Sequence, residues 1–171
     1  MSKARIAVVG ATGFTGSELL RFLPSHNEIE IIAVTSESYT GQLTSEVHPF
    51  LTSHVDIPLV SSDEIPNLSP DLVFLALPHG VSMDYVKKWN NENFKIVDLS
   101  GDFRLRNAST YEKWYNKSHH FEKGFENSVY GLPEIHRNAI NASSLVANPG
   151  CYPTVSSLSL LPLISNQKLP E

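Results

Sequence analysis

Short apolar runs alternate along the chain with segments of helical spacing. Five runs predict buried strands, at residues 5–9, 30–34, 71–77, 95–99 and 145–147, and residues 55–60, which contain Pro58, predict an edge strand. Helical spacing predicts helices at 17–23, 82–89 and 152–163, and the last has Val155, Leu158 and Leu161 on one face. For the polar and aromatic residues 107–128 we expect helix and irregular structure. This alternation predicts an α/β fold with parallel strands and helices on both faces of the sheet.

Composition narrows the class of protein. The 171 residues carry 13 Lys and Arg against 18 Asp and Glu, a net charge of −5, which disfavours nucleic-acid binding. No apolar run approaches the roughly 18 residues that a membrane helix needs. The N-terminal residues enter the first predicted strand without a signal-peptide pattern, so we expect a cytoplasmic protein. The single cysteine, Cys151, excludes an internal disulfide framework and a multi-thiolate zinc site, and we predict no metal centre.

A glycine-rich turn joins the first strand to the first helix. It comprises Gly10, Ala11, Thr12, Gly13, Phe14, Thr15 and Gly16. Such a turn directs backbone N–H groups and the positive end of a helix toward one point, where a pyrophosphate binds. The spacing differs from the strict G-x-G-x-x-G pattern, but its position predicts a dinucleotide site and a Rossmann-like, doubly wound, mostly parallel sheet. The alternative is a glycine-rich turn in a domain that binds no nucleotide.

The segment after the second strand bears on which dinucleotide binds. Thr35, Ser36 and Ser38 offer hydroxyls that suit the extra phosphate of NADP, whereas an inward-pointing Glu37 would repel it. A solvated loop position for Glu37 is an equally good interpretation.

Three further loops belong to the same site by topology, because ligands of open parallel sheets bind at the carboxyl ends of the strands. These loops contain Pro78, His79 and Gly80, then Ser100, Gly101 and Asp102, and then Asn148 to Cys151. For each loop taken alone, an ordinary turn is the better interpretation.

Cys151 follows a turn and opens a helix whose first turn contains Pro153. The positive end of a helix favours the thiolate, which is the nucleophilic form of cysteine. A buried, inert cysteine is the alternative. A thiolate beside a nicotinamide predicts acyl transfer through a thioester followed by hydride transfer, with a histidine as acid or base. No histidine stands in a motif that marks it as this partner, and we expect His119 and His120 on the surface.

Five segments together resemble the N-acetyl-gamma-glutamyl-phosphate reductases. They are residues 10–16, 74–80 (FLALPHG), 97–104 (VDLSGDFR), 130–134 (YGLPE) and 148–154 (NPGCYPT). The last two are the specific ones, since related aspartate-semialdehyde dehydrogenases share the glycine turn. The resemblance implies NADPH-dependent reduction of N-acetyl-glutamyl 5-phosphate to the 5-semialdehyde and phosphate, in arginine biosynthesis. It also implies a homo-oligomer.

The resemblance assigns roles to individual residues. Cys151 falls on the nucleophile, the glycine turn on the pyrophosphate loop, and residues 35–38 on the segment near the adenosine phosphate. Residues 78–80, Ser100 and Gly101 fall on loops near the cofactor. Arg104 and Asn148 are candidates for binding the substrate, since a guanidinium binds phosphate or carboxylate through paired hydrogen bonds. A surface position for Arg104 is an equal alternative.

The chain departs from this family in places. Glu37 stands where we expect arginine, which puts the preference for NADP in doubt, and Val155 stands where a small residue is usual. Family members are considerably longer, and their second domain supplies the acid/base histidine. We therefore expect residues 1–147 to be the dinucleotide-binding domain and 148–171 the beginning of a catalytic and dimerisation domain. On that basis, the 171 residues alone should bind the dinucleotide weakly if at all and show no steady turnover. An aspartate-semialdehyde dehydrogenase-like enzyme and a non-catalytic nucleotide-binding domain remain the alternatives.

Overall fold

The computed structural model describes residues 2–166. Within that range, seven strands form one parallel sheet in the order β3-β2-β1-β4-β5-β7-β6. The strands are β1 (Ala4–Val9), β2 (Ile29–Thr35), β3 (Leu59–Val60), β4 (Leu72–Leu75), β5 (Lys95–Asp98), β6 (Ser128–Tyr130) and β7 (Leu145–Ala147).

Helices connect the strands, as parallel pairing requires. The α-helices are α1 (Phe14–Phe22), α2 (Thr44–Val47), α3 (Ser82–Lys88), α4 (Ala108–Tyr115), α5 (Lys123–Asn127), α6 (Pro133–Ala142) and α7 (Cys151–Ser165). Short 3₁₀ helices cover Leu23–Ser25, Pro49–Leu51 and Ser62–Leu68.

The sheet is buried on both faces because successive side chains of a strand point to opposite sides. In β1, Ala7 and Val9 belong to a core cluster with Met83 of α3 and Tyr111 of α4. Val8 belongs to the opposite cluster, with Leu20 of α1 among others. The structure thus confirms the Rossmann-like α/β fold with helices on both faces.

Most predicted elements are confirmed, with shifted ends. The edge strand expected at 55–60 is reduced to Leu59–Val60, and α1 begins three residues before the predicted helix, directly after Gly13. The pattern gave no signal for β6 and α6, because neither element has a fully buried side chain. Neither therefore shows the periodicity that marks a packed element.

The apolar side chains of α7 are left largely uncovered by the rest of the described chain. None of its side chains is buried, and Val155 is 66% exposed, Leu161 37% and Leu163 41%. Apolar residues surround the helix, so no single stripe can face the sheet. The helix begins at the edge of the sheet and leaves its side chains uncovered by the rest of the described chain.

Two glycines of the turn are required by close packing. Gly10 has φ of +81°, and a Cβ built on it would lie 2.4 Å from the carbonyl oxygen of Ala76. A Cβ on Gly16 would lie 2.2 Å from the carbonyl oxygen of Gly10. A Cβ on Gly13 would make only ordinary contacts, the nearest at 3.5 Å. Gly10 and Gly16 thus hold α1 against β1 and β4, and Gly13 leaves the outer side of the turn open.

A buried carboxylate ends β5. Asp98 is fully buried and accepts hydrogen bonds from the backbone N–H of Ser100 at 2.9 Å and from its hydroxyl at 2.7 Å. Burial raises the pKa of Asp98 from its usual 3.8 to about 6, although both hydrogen bonds from Ser100 oppose the shift. The two hydrogen bonds from Ser100 to this carboxylate fix the turn that follows β5.

We expect Gly16→Ala to lower the free energy of unfolding by about 1–3 kcal/mol, because the added methyl group overlaps the backbone of Gly10. Urea denaturation followed by circular dichroism measures the change. Gly13→Ala is the matched control and should stay within about 0.5 kcal/mol of wild type. Equal losses for both variants would contradict the packing argument.

The raised pKa of Asp98 predicts a pH-dependent stability. Between pH 4 and 6 the folded state binds more protons than the unfolded state, so the contribution of this residue falls as pH rises. Between pH 4 and pH 7, the free energy of unfolding of Asp98→Asn should rise relative to that of wild type by up to about 3 kcal/mol. This is the amount expected when the pKa of the folded state is about 6 instead of 3.8. Denaturation curves at both pH values measure this difference, and a pH-independent difference would contradict the prediction.

Candidate active site

Four strand ends meet in one cleft at the carboxyl edge of the sheet. The cleft has a volume of about 780 Å³. It lies beside the point where the strand order reverses, between β1 and β4, which is where ligands of open α/β sheets bind. Its lining includes nine residues that the sequence singled out, Thr15, Pro78, His79, Ser100, Arg104, Asn148, Pro149, Gly150 and Cys151, together with Leu77, Leu99, Tyr115 and Lys117.

The glycine turn presents an uncapped helix end to this edge. Gly13 is the N-cap of α1 and no side chain caps the helix. The first N–H groups of a helix lack partners within it, so those of Phe14, Thr15 and Gly16 are available to an anion. Because Gly13 has room on its outer side, a pyrophosphate can approach the backbone there. The turn therefore fits the dinucleotide predicted for it.

The segment after β2 braces the turn from one side. The N–H of Gly10 donates to the hydroxyl of Thr35 at 3.4 Å, and the hydroxyls of Thr12 and Ser36 lie 3.0 Å apart. The Thr35 side chain is buried, so it supports the turn from within, whereas Ser38 is exposed at the same edge. Thr35 and Ser36 thus lie beside the glycine turn.

A buried carboxylate joins the loops that follow β4 and β5. Asp102 accepts the N–H of Gly80 at 2.9 and 3.0 Å, the N–H of Met83 at 3.0 Å and the hydroxyl of Tyr111 at 2.9 Å. Gly80 has φ of +86°, a conformation that glycine adopts readily. These contacts give the cleft wall formed by residues 78–80 a single position.

His79 is held as a neutral donor. Its Nδ1 accepts the backbone N–H of Gly101 at 2.6 Å, so the ring proton lies on Nε2. Burial lowers the pKa of His79, and the charges of Arg104 and Lys117 lower it further while Asp102 opposes them. Its ring also packs against Tyr115, with centroids 5.1 Å apart.

Gly101 has no room for a side chain. A Cβ there would lie 2.5 Å from the ring of Tyr115, which explains why glycine stands in this loop. The backbone of Gly101 thereby stays in contact with the rings of Tyr115 and His79.

Arg104 links the loops after β5 and β7. Its Nε donates to the carbonyl oxygen of Asn148 at 2.7 Å, and Nη2 donates to that of Leu99 at 2.8 Å. The surface alternative for this side chain is therefore wrong: it is half-buried and lines the cleft. Asn148 lies at the same corner, where its side-chain amide donates to the carbonyl oxygen of Pro149 at 3.1 Å.

Cys151 is exposed and is the first residue of α7. Gly150 is the N-cap, and no side chain caps this helix either. The sulfur thus lies at the positive end of a 15-residue helix and on the same cleft as Thr15 of the glycine turn. The buried position that the alternative interpretation requires is therefore wrong.

The cleft is positively charged in a protein of net charge −5. Of the described residues that line it, Arg104 and Lys117 are cations and none is a carboxylate. Lys117 donates to the carbonyl oxygen of His79 at 2.7 Å, which holds it at the rim. The sequence offered no periodic or motif signal for Lys117, which enters the cleft only because the segment after α4 folds back over Gly80.

The expectation that His119 lies on the surface is wrong. It is 7% exposed, and Nε2 lies 3.0 Å from the carbonyl oxygen of Asp102 while Nδ1 accepts the N–H of Phe121 at 3.3 Å. Burial lowers the pKa of His119. The residues next to His119 in sequence are polar, so the sequence pattern did not indicate its burial. The ring is buried because it packs among Phe103, Tyr111 and Phe125.

Residues 2–166 contain no group of three or more His, Cys, Asp or Glu side chains arranged to hold a metal ion. A search of the same residues for a helix long and apolar enough to cross a membrane finds none.

Comparisons with known proteins agree with this geometry. The family described as "Semialdehyde dehydrogenase, NAD binding domain" matches residues 5–143. Among curated proteins, the N-acetyl-gamma-glutamyl-phosphate reductase of Heliobacterium modesticaldum is 47% identical over 98% of this chain and 48% of its own length. That of Halothermothrix orenii is 46% identical over 94% of this chain and 47% of its own length. The chain thus spans about half the length of the curated relatives it matches.

Solved structures support the fold. Aspartate semialdehyde dehydrogenase II of Vibrio cholerae, complexed with ASA, has a TM-score of 0.72 and 15% identity, over 96% of this chain and 47% of that one. The Candida albicans enzyme with NADP has a TM-score of 0.70 and 17% identity, over 96% and 48% of the two chains. Through the match to residues 5–143 and the parallel sheet with its glycine turn, the chain belongs to the semialdehyde dehydrogenase family, of which it contains the NAD-binding domain.

Proposed function

We propose that this chain is part of an NADPH-dependent N-acetyl-gamma-glutamyl-phosphate reductase that works through a thioester on Cys151. The observation that carries the proposal is the exposed sulfur at the start of α7, on the cleft that also contains Thr15 of the glycine turn. The curated relatives of that name support the choice of substrate.

The cofactor-binding part of the proposal rests on the backbone. The N–H groups at the start of α1 receive the pyrophosphate, and the open side of Gly13 permits close approach. Thr12, Ser36 and Ser38 supply hydroxyls to the adenosine phosphate. His79, Ser100 and Gly101 contact the nicotinamide end, where Nε2–H of His79 is a fixed donor. A nicotinamide held there would supply the hydride that reduces the thioester carbon, and the C–S bond would then break to release the aldehyde and return Cys151 as the thiolate.

The chemistry of this chain's own residues begins with the Cys151 thiolate. The sulfur attacks the carbonyl carbon of the acyl phosphate, a C–S bond forms, and the C–O bond to phosphate breaks. Negative charge that develops at the carbonyl oxygen is stabilised by the uncapped N–H groups at the start of α7. Arg104, Asn148 and Lys117 bind the phosphate before it leaves as inorganic phosphate.

An aspartate-semialdehyde dehydrogenase-like enzyme is the second candidate, because the solved structures with the same fold carry that name. Their identity to this chain is 15–17%, whereas the curated reductases reach 46–47% over nearly the whole chain. Segments 130–134 and 148–154, which are the specific part of the resemblance to the reductases, also favour the reductase. A non-catalytic nucleotide-binding domain gives no reason for an exposed thiol on a cationic cleft.

We also propose that the domain boundary lies near residue 147. The uncovered apolar side chains of α7 support this division, since such a helix needs further protein to pack against. The same exposed surface supports a homo-oligomeric enzyme. The substrate is a small acyl phosphate, and a cytoplasmic location fits a biosynthetic reductase.

The test uses a chimera of this chain followed by the second half of the Heliobacterium modesticaldum relative. We expect it to oxidise N-acetyl-glutamate 5-semialdehyde in the presence of phosphate and NADP, with the increase in nicotinamide absorbance as the measurement. Cys151→Ser should lower the rate at least about 10³-fold, since the hydroxyl is a far weaker nucleophile. A chimera active on aspartate semialdehyde alone, or one unaffected by Cys151→Ser, would contradict the proposal.

Alkylation separates the enzyme from the non-catalytic alternative. Near pH 7 we expect iodoacetamide to modify Cys151 severalfold faster than free N-acetylcysteine, because the sulfur is exposed at the uncapped start of α7, on a cleft whose charged lining residues are Arg104 and Lys117. Mass spectrometry follows the reaction, and Cys151→Ser controls for other sites. A rate at or below that of the free thiol would argue against a nucleophilic role.

A further inference from the structure

Glu37 stands at a position where an acidic residue favours NAD over NADP. In Rossmann-like folds, a carboxylate about 20 residues after the glycine turn binds the ribose hydroxyls of NAD and repels the 2′-phosphate of NADP. Glu37 follows β2 at about this distance from Gly16. A carboxylate here conflicts with NADPH as the cofactor unless other groups of the protein hold it by hydrogen bonds.

In the structure, Ser62 supplies these hydrogen bonds. Oε1 of Glu37 accepts the hydroxyl of Ser62 at 2.7 Å and the backbone N–H of the same residue at 3.1 Å. Ser62 is buried at the start of the 3₁₀ helix Ser62–Leu68, so its two donors are fixed by that helix. One oxygen of the carboxylate is thus hydrogen-bonded to the start of the 3₁₀ helix that follows β3, the strand next to β2 at this edge of the sheet.

Two further contacts keep this arrangement in place. The hydroxyl of Tyr85 lies 3.0 Å from that of Ser62, and the Tyr85 ring packs on Trp89. The loop that carries Glu37 is tied to β3, because the N–H of Ser36 donates to the carbonyl oxygen of Val60 at 3.3 Å. The binding of Glu37 to Ser62 is therefore built into the fold on both sides.

We propose that Ser62 is a specificity-determining residue, which holds the carboxylate of Glu37 away from the adenosine ribose and so permits NADPH to bind. Ser62 acts through Glu37 and contacts no cofactor atom itself. Without its hydroxyl, Glu37 turns toward the ribose, where it accepts the 2′-hydroxyl of NADH and repels the 2′-phosphate of NADPH. This inference rests on the proposed function only in taking NADPH as the cofactor.

The test measures the dissociation constants of NADPH and NADH by the fluorescence of the reduced nicotinamide, in the chimera with the second half of the Heliobacterium modesticaldum relative. We expect Ser62→Ala to shift the ratio of the two constants about tenfold toward NADH, which is what a lost hydrogen bond to a charged group allows. Binding of NADH should be kept or tightened, which shows that the site is intact. In the Glu37→Gln background, Ser62→Ala should leave the ratio within about twofold, because no charge remains to redirect.

Ser61→Ala is the matched control. Ser61 caps the same 3₁₀ helix through its hydroxyl, which accepts the N–H of Asp63 at 3.4 Å, but it donates nothing to Glu37. It should not change the ratio. An equal shift with Ser61→Ala, an unchanged ratio with Ser62→Ala, or the same shift in the Glu37→Gln background would overturn the inference and leave the proposed function standing. Failure of both dinucleotides to bind would overturn the proposed function, and this inference with it.

Discussion

The carboxylate of Asp102 is the contact on which the cleft depends. It is buried and satisfies donors from three places, namely Gly80 after β4, Met83 at the start of α3, and Tyr111 of α4. A buried carboxylate is costly unless it is fully hydrogen-bonded, so these donors cannot be moved independently. The loops after β4 and β5 therefore form one wall, against which His79 is oriented.

The opposite wall depends on the strand ends of β5 and β7. Arg104 donates to the carbonyl oxygens of Leu99 and Asn148, and the N–H of Asn148 donates to that of Asp98 at 2.8 Å. The start of α7 follows directly, so the position of Cys151 is set by the sheet. Arg104 and Lys117 line the same cleft as the Cys151 sulfur in an acidic protein, an arrangement that suits an anionic ligand.

The agreement between pattern and structure has a physical basis. Strands β1, β2, β4 and β5 were predictable because both faces of the sheet are buried, which demands continuous apolar runs. Helix α6 was not, since it buries nothing. His119 was misjudged because its burial results from aromatic partners on α4 and α5, which its own polar neighbours in sequence do not reveal. The roles of Asp102 and Lys117 escaped prediction for the same reason, although Asp102 lies within a recognised segment.

Sequence alone determined the order of strands and helices, the glycine turn and the lone cysteine after the last strand, because local hydrophobic spacing and turn chemistry specify these directly. Burial on both faces then limited the fold to a parallel sheet, whose carboxyl edge gathers the predicted loops. Only the tertiary structure decided which way side chains turn at that edge. Glu37 faces Ser62, His79 presents Nε2, and Arg104 spans two loops, each because of hydrogen-bond partners distant in sequence that no local pattern encodes.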